Sequence, residues 1–107
     1  MSRKPAKWMV PLDERILEIL KAEGWSSPRY IAQNVSLRAS VGRVRERCRM
    51  LTYAQMIEPL TRQFQNYDIT GYGLRYLEGR LDANNQPRPS AKNSIARLNS
   101  ITNRYNN

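Results

Sequence analysis

Between Leu37 and Leu51 the chain reads "LRASVGRVRERCRML", with arginine at 38, 43, 45, 47 and 49 and a single acid, Glu46, among them. The planar guanidinium fork binds phosphate and the guanine edge bidentately, so this residue type suits contact with a nucleic acid. Helical spacing puts Val41, Val44, Cys48 and Leu51 on one side as a core stripe. Gly42, Arg43, Glu46 and Arg49 then lie opposite, flanked by Arg45 and Arg47. Surface helices usually mix signs so that pairs form one turn apart. Five arginines against one glutamate require a negative partner instead.

Roles follow from position. Arg43 is placed to read guanine and Glu46 to accept from cytosine N4. Gly42 lets the helix approach a groove closely, or is a tolerated weak helix former. Arg38, Arg45, Arg47 and Arg49 are phosphate candidates, because flanking positions reach the groove walls. Ser40 caps the helix and is a candidate contact as well. Further along, Arg62 and Gln63, with Gln65 beside them, are minor-groove or phosphate candidates in a turn. Arg3, Lys4 and Lys7 are candidates to follow the minor groove. The plain alternative for each cation is a solvated surface charge.

Other chemistry is poorly supplied. Histidine is absent and Cys48 is the only cysteine. No internal disulfide and no Cys/His zinc site can be built, and the commonest acid–base and nucleophilic groups are missing. The expectation is a binding protein without cofactor or metal, not an enzyme. Cys48, on the apolar stripe, reads as a core thiol. Of 107 residues, 18 are Lys or Arg and 9 are Asp or Glu, a formal charge of +9 with pI ≈ 10.3. Fourteen of the cations are arginine. Such a balance points to a polyanion. No apolar run approaches the roughly 20 residues that span a bilayer, and the N-terminus lacks the apolar core of a secretory signal. A cytoplasmic, nucleoid-associated protein is expected.

The elements that must position these residues are legible in turn. Residues 1–11 read as a basic arm, 12–83 as one domain and 84–107 as a basic tail, flexible or weakly helical. "LDERILEILKAEG" predicts a first helix with Leu12, Ile16, Ile19 and Leu20 inward and Gly24 as its stop. "SSPRYIAQN" predicts a second, capped by Ser27 and opened by Pro28, with Tyr30, Ile31 and Val35 inward. The arginine stretch, capped by Ser40, is the third. "MIEPL" and "NYDIT" then read as short strands joined by "TRQFQ", with Pro59 restricting the first to an edge. Phe64 fits either a wing tip or the core. "TGYGLRYLEGRLDA" predicts a fourth helix capped by Thr70. In the tail, Ala91, Ile95, Leu98 and either Ile101 or Thr102 fall on one side of a weak helix. Trp8 and Trp25 read as packing residues.

Three helices followed by a hairpin is the order of a winged helix-turn-helix, a mainly α fold with a small β-hairpin. There the third helix enters the major groove and the hairpin lies along the backbone or minor groove. The most basic helix occupies that third place. The stretches "WMVPLDERILEIL", "SPRYIAQNVSLRASVGRVRERCRML" and "DITGYGLRYLEGRLD" also resemble the archaeal winged-helix DNA-binding family typified by the phage phi-H repressor. The likeness spans Trp8 to Asp82, and "YLEGRLD" is its most specific block. It implies sequence-specific binding of double-stranded DNA, transcriptional repression and, as in many related proteins, a homodimer. Two other functions fit the pattern: a weakly specific architectural DNA binder, and a winged helix that binds RNA or protein. For a dimer contact the candidates are Tyr72, Tyr76, Ile95, Leu98 and Ile101, on the fourth helix and the tail.

Overall fold

The computed structural model describes residues 2–63, 65–86, 89 and 90. Phe64 and the predicted tail helix lie outside the described residues. The elements run α1 (Pro11–Glu23), α2 (Pro28–Asn34), α3 (Val41–Tyr53), β1 (Ile57–Pro59), β2 (Tyr67–Ile69), α4 (Gly71–Leu77) and a 3-10 turn (Ala83–Asn85). Four helices and an antiparallel hairpin make the expected winged helix, of α+β class. The hairpin register is Ile57↔Ile69, Glu58↔Asp68 and Pro59↔Tyr67.

Each helix starts where its chemistry predicts. Ser27, Ser40 and Thr70 accept from the amides of Tyr30, Arg43 and Gly73 and so cap α2, α3 and α4. At α1 the Asp13 carboxylate reaches back to the Val10 amide at 3.0 Å. This offsets one of the donors that a helix start leaves unsatisfied. The core gathers Ile16, Leu17 and Leu20 of α1, Ile31 of α2, Val44, Cys48 and Leu51 of α3, Ile57 of β1 and Tyr76 of α4. Ile19 and Val41 are only partly buried, while Leu17 is fully so. The inward face of α1 is thus wider than the predicted stripe.

Two junctions define the wing's seat. Ser26, between α1 and α2, pairs with Tyr67 through two 2.9 Å backbone hydrogen bonds. This adds a one-residue third rung beside β2, too short to leave an alternating pattern in the sequence. Gly73 in turn lets α4 lie directly on the hairpin. A Cβ there would stand 2.3 Å from the Met56 carbonyl oxygen and 2.7 Å from Ile69 Cγ1. Helix α4 is shorter than predicted, because the chain turns at Gly79 with φ 76°.

The N-terminal residues do not form the separate arm that their charge suggested. Ala6 is buried in the core. The Lys4 carbonyl accepts from the Ala83 amide at 3.0 Å. Arg3 donates to Glu14 at 2.7 Å, to Glu18 at 2.8 Å and to the Leu77 carbonyl at 3.1 Å. The stretch therefore clamps α1 to α4. Among the described residues, no helix is long and apolar enough to cross a membrane.

Candidate nucleic-acid interface

Helix α3 has two faces. Val44, Cys48, Leu51 and Thr52 are buried, and Arg47 is buried with them. Its Nε and Nη2 donate to the two oxygens of fully buried Asp13, both at 2.8 Å, and Nη2 also meets the Trp8 carbonyl at 3.2 Å. Hydrogen bonding to Asp13 holds the guanidinium pKa above its ordinary value, against the opposing effect of burial. Arg47 is thus an internal anchor of α3 on α1 and not the phosphate contact expected of it. It sits at the edge of the apolar stripe, one turn from Val44 and from Leu51. Only a carboxylate 34 residues earlier in the chain turns it inward.

The other face is open and cationic. Arg38, Arg43, Arg45 and Arg49 are exposed, as are Ser40, Gly42 and Glu46. Arg43 and Glu46 pair at 3.2 Å with both side chains largely in water. Such a surface pair is worth only about 0–1 kcal/mol, so both groups can exchange it for another partner. Arg38, Arg45 and Arg49 have no acidic partner among the described residues. The space around Gly42 is free: a Cβ there would meet only Ser40 Oγ, at 3.9 Å. Nothing in the fold therefore requires glycine at this position.

The wing stands beside this face. Burial pushes the Tyr67 phenol of β2 up to about 12, and the positive charges of Arg49 and Arg45 partly oppose that shift. Arg62 and Gln63 are exposed in the turn beyond, with Gln65. Cys48 is buried under α3, and burial pushes its thiol up to about 12. That leaves it protonated and unreactive at neutral pH.

Of the N-terminal candidates, Lys4 and Lys7 are exposed, while Arg3 is committed to two glutamates. Hydrogen bonds that Arg3 donates to Glu14 and Glu18 raise its pKa. Burial acts to raise Glu18, but hydrogen bonds from Arg3 and Arg15 hold its carboxyl below the ordinary value. Arg3 is therefore removed from the free cations. Three expectations about aromatics also fail. Trp25 is 63% exposed and Tyr30 39% exposed. Trp25 sits in the polar Gly–Trp–Ser–Ser turn between α1 and α2, and Tyr30 lies in the first turn of α2 with its side chain on the exposed side, next to buried Ile31. Tyr76, expected on the surface, is fully buried, with its hydroxyl 3.2 Å from Glu14.

One residue escaped the sequence reading. Arg29 is exposed in the first turn of α2, the helix that crosses the DNA backbone in helix-turn-helix complexes. Its signal was its place directly after the Ser–Pro helix start. Among the described residues, no group of three or more His, Cys, Asp or Glu could hold a metal ion.

No curated protein matches the sequence. The fold is similar to the crystal structure of the PhiH1 repressor-like protein from Haloarcula marismortui, with TM-score 0.75 and 33% identity. That match covers 82% of this chain and 98% of the other. The model of the winged helix-turn-helix phage repressor matches residues 1–88, and the chain belongs to that family.

Proposed function

We propose that this chain is a sequence-specific DNA-binding transcriptional repressor that inserts the outer face of α3 into the major groove. The observation that carries the reading is the set of exposed cations without acidic partners among the described residues, Arg38 just before α3 and Arg45 and Arg49 on it. Arg43 and Glu46 release one another to read a guanine and a cytosine N4. Arg38, Arg45, Arg49 and Arg29 neutralise phosphates, and Ser40 adds a hydroxyl at the groove edge. Gly42 lets the helix backbone approach the base edges. Arg62 and Gln63 carry the wing along the backbone or minor groove, with Lys4 and Lys7 as peripheral charges. The similarity to a phage repressor-like protein supports repression through occupied DNA.

Two copies act together on two half-sites about one helical turn apart, since one small domain makes few base contacts. With Tyr76 buried, the described part of α4 offers Tyr72 as its exposed aromatic, stacked under Arg75 at 4.9 Å. Selection of bound duplexes from a random pool tests the proposal. A sharp, two-fold repeated motif is expected. Recovery of unrelated sequences with equal affinity would make the protein an architectural binder and reject specific repression. Preference for RNA in competition would reject the DNA reading.

A further inference from the structure

A recess of about 280 Å³ lies between the N-terminal segment, the end of α3, the start of α4 and the chain after it. Three aromatic rings, Trp8, Tyr53 and Tyr72, and two carboxamides, Gln55 and Gln86, are among its walls. None of its lining residues is charged, so none of the cations assigned to DNA takes part in it.

Gln55 stands in this wall against its backbone preference. Helix α3 ends in a turn where the Met56 amide donates to the Leu51 carbonyl at 3.0 Å and the Gln55 amide to the Thr52 carbonyl at 2.9 Å. That double closure puts the residue after the helix cap in the left-handed region, and Gln55 has φ 65°. Glycine is the usual occupant of such a position, because a Cβ is strained there. The other positive-φ positions among the described residues, Gly24 and Gly79, are indeed glycines. The Gln55 carbonyl accepts from the Thr70 hydroxyl at 2.6 Å, a backbone contact that glycine would make equally well. What glutamine adds is its side chain, on the wall of the recess. Strain held at a ligand-facing residue is a mark of function.

The lining selects the occupant. Aromatic walls favour a flat ring. A carboxamide is both donor and acceptor, so it matches a ligand edge that carries both. An ionised ligand would lose its hydration with no opposite charge to replace it. The volume is just below the roughly 300–1,000 Å³ of drug-sized pockets, enough for one small ring system.

We infer that this recess binds a small uncharged planar ring with an amide-type hydrogen-bonding edge, held by Gln55 and Gln86 between the aromatic side chains. The Trp8 carbonyl meets Arg47 at 3.2 Å and Tyr53 is the last residue of α3, so the bound ring bears on both the anchor and the end of that helix.

Nicotinamide and uracil serve as probes, with nicotinate as the anionic counterpart of the first. Each is titrated into the full chain and followed by heteronuclear NMR. Both neutral probes are expected to shift the Trp8 indole N–H and the Gln55 amides saturably, with the millimolar dissociation constants usual for so small a ligand. The Trp25 indole, outside the recess, should not move. Nicotinate should bind at least about fivefold more weakly, for want of a positive partner. Gln55→Gly relieves the left-handed strain, so its thermal midpoint should hold or rise while its affinity for nicotinamide falls at least about fivefold. No saturable shift at Trp8 with either neutral probe overturns the inference, as does equal binding of nicotinate. Unchanged affinity in Gln55→Gly, or a lowered midpoint that makes the glutamine structural, overturns it as well.

Discussion

Arg43, Arg45 and Arg47 lie within five residues of one helix and have three different fates. Arg43 faces outward in a loose pair with Glu46, Arg45 faces outward alone, and Arg47 is sealed against Asp13. Mutations should separate them. Arg47→Ala leaves the Asp13 carboxylate buried without its partner, a loss of about 3–5 kcal/mol of folding stability, readable as a lower urea midpoint. Arg45→Ala should leave that midpoint unchanged, and a comparable loss would show that its side chain is structural. Arg43→Ala should cost roughly 1–3 kcal/mol on the preferred site and less on scrambled duplex. Equal losses on both duplexes would reduce Arg43 to a backbone contact. The sequence distinguished the charged side of α3 from the apolar one, because that depends only on local spacing. It could not tell Arg47 from Arg45, because burial of a cation depends on a long-range partner. Trp25 was misread for the opposite reason: a large aromatic suggests packing, but its place in the turn after Gly24 keeps it in solvent.

At the scale of elements, caps and turns were readable and junctions were not. Ser27, Ser40 and Thr70 start their helices as their side chains predict, since capping is a matter of a few residues. The Ser26–Tyr67 rung and the docking of residues 3–6 join segments distant in sequence and carry no local pattern. Two glycines test how elements are packed. Gly73→Ala forces a methyl against the Met56 carbonyl, which must shift with the hairpin, and should cost about 1–3 kcal/mol or more. Gly42→Ala has open space and should raise thermal stability by up to about 1 kcal/mol. The same methyl should weaken binding to the selected duplex. Unchanged affinity in Gly42→Ala would remove close backbone approach from the account.

For the whole molecule, buried groups with raised pKa values make the fold sensitive to base. Cys48 is shifted from 9.0 to about 12 and Tyr67 from 10.0 to about 12, both chiefly by burial, and burial raises Tyr76 as well. An acid whose folded pKa is raised adds stability below its unfolded value. That contribution is lost as pH climbs toward the folded value. Stability should therefore hold up to pH 9 and fall between pH 9 and 12, with phenolate absorbance at 295 nm rising together with loss of circular dichroism. A urea midpoint that stays level through this window would contradict the burial of these groups.

The charge of the molecule is the quantity its function depends on, and salt reads it directly. Binding of the full chain to its selected duplex should weaken linearly in log salt, with a slope of about −0.9 for each phosphate neutralised. In Arg45→Ala with Arg49→Ala, two such contacts are gone, so the slope should become shallower by about 1.8 while the urea midpoint stays in place. An unchanged slope in that double variant would contradict the central claim that the open face of α3 is what meets DNA.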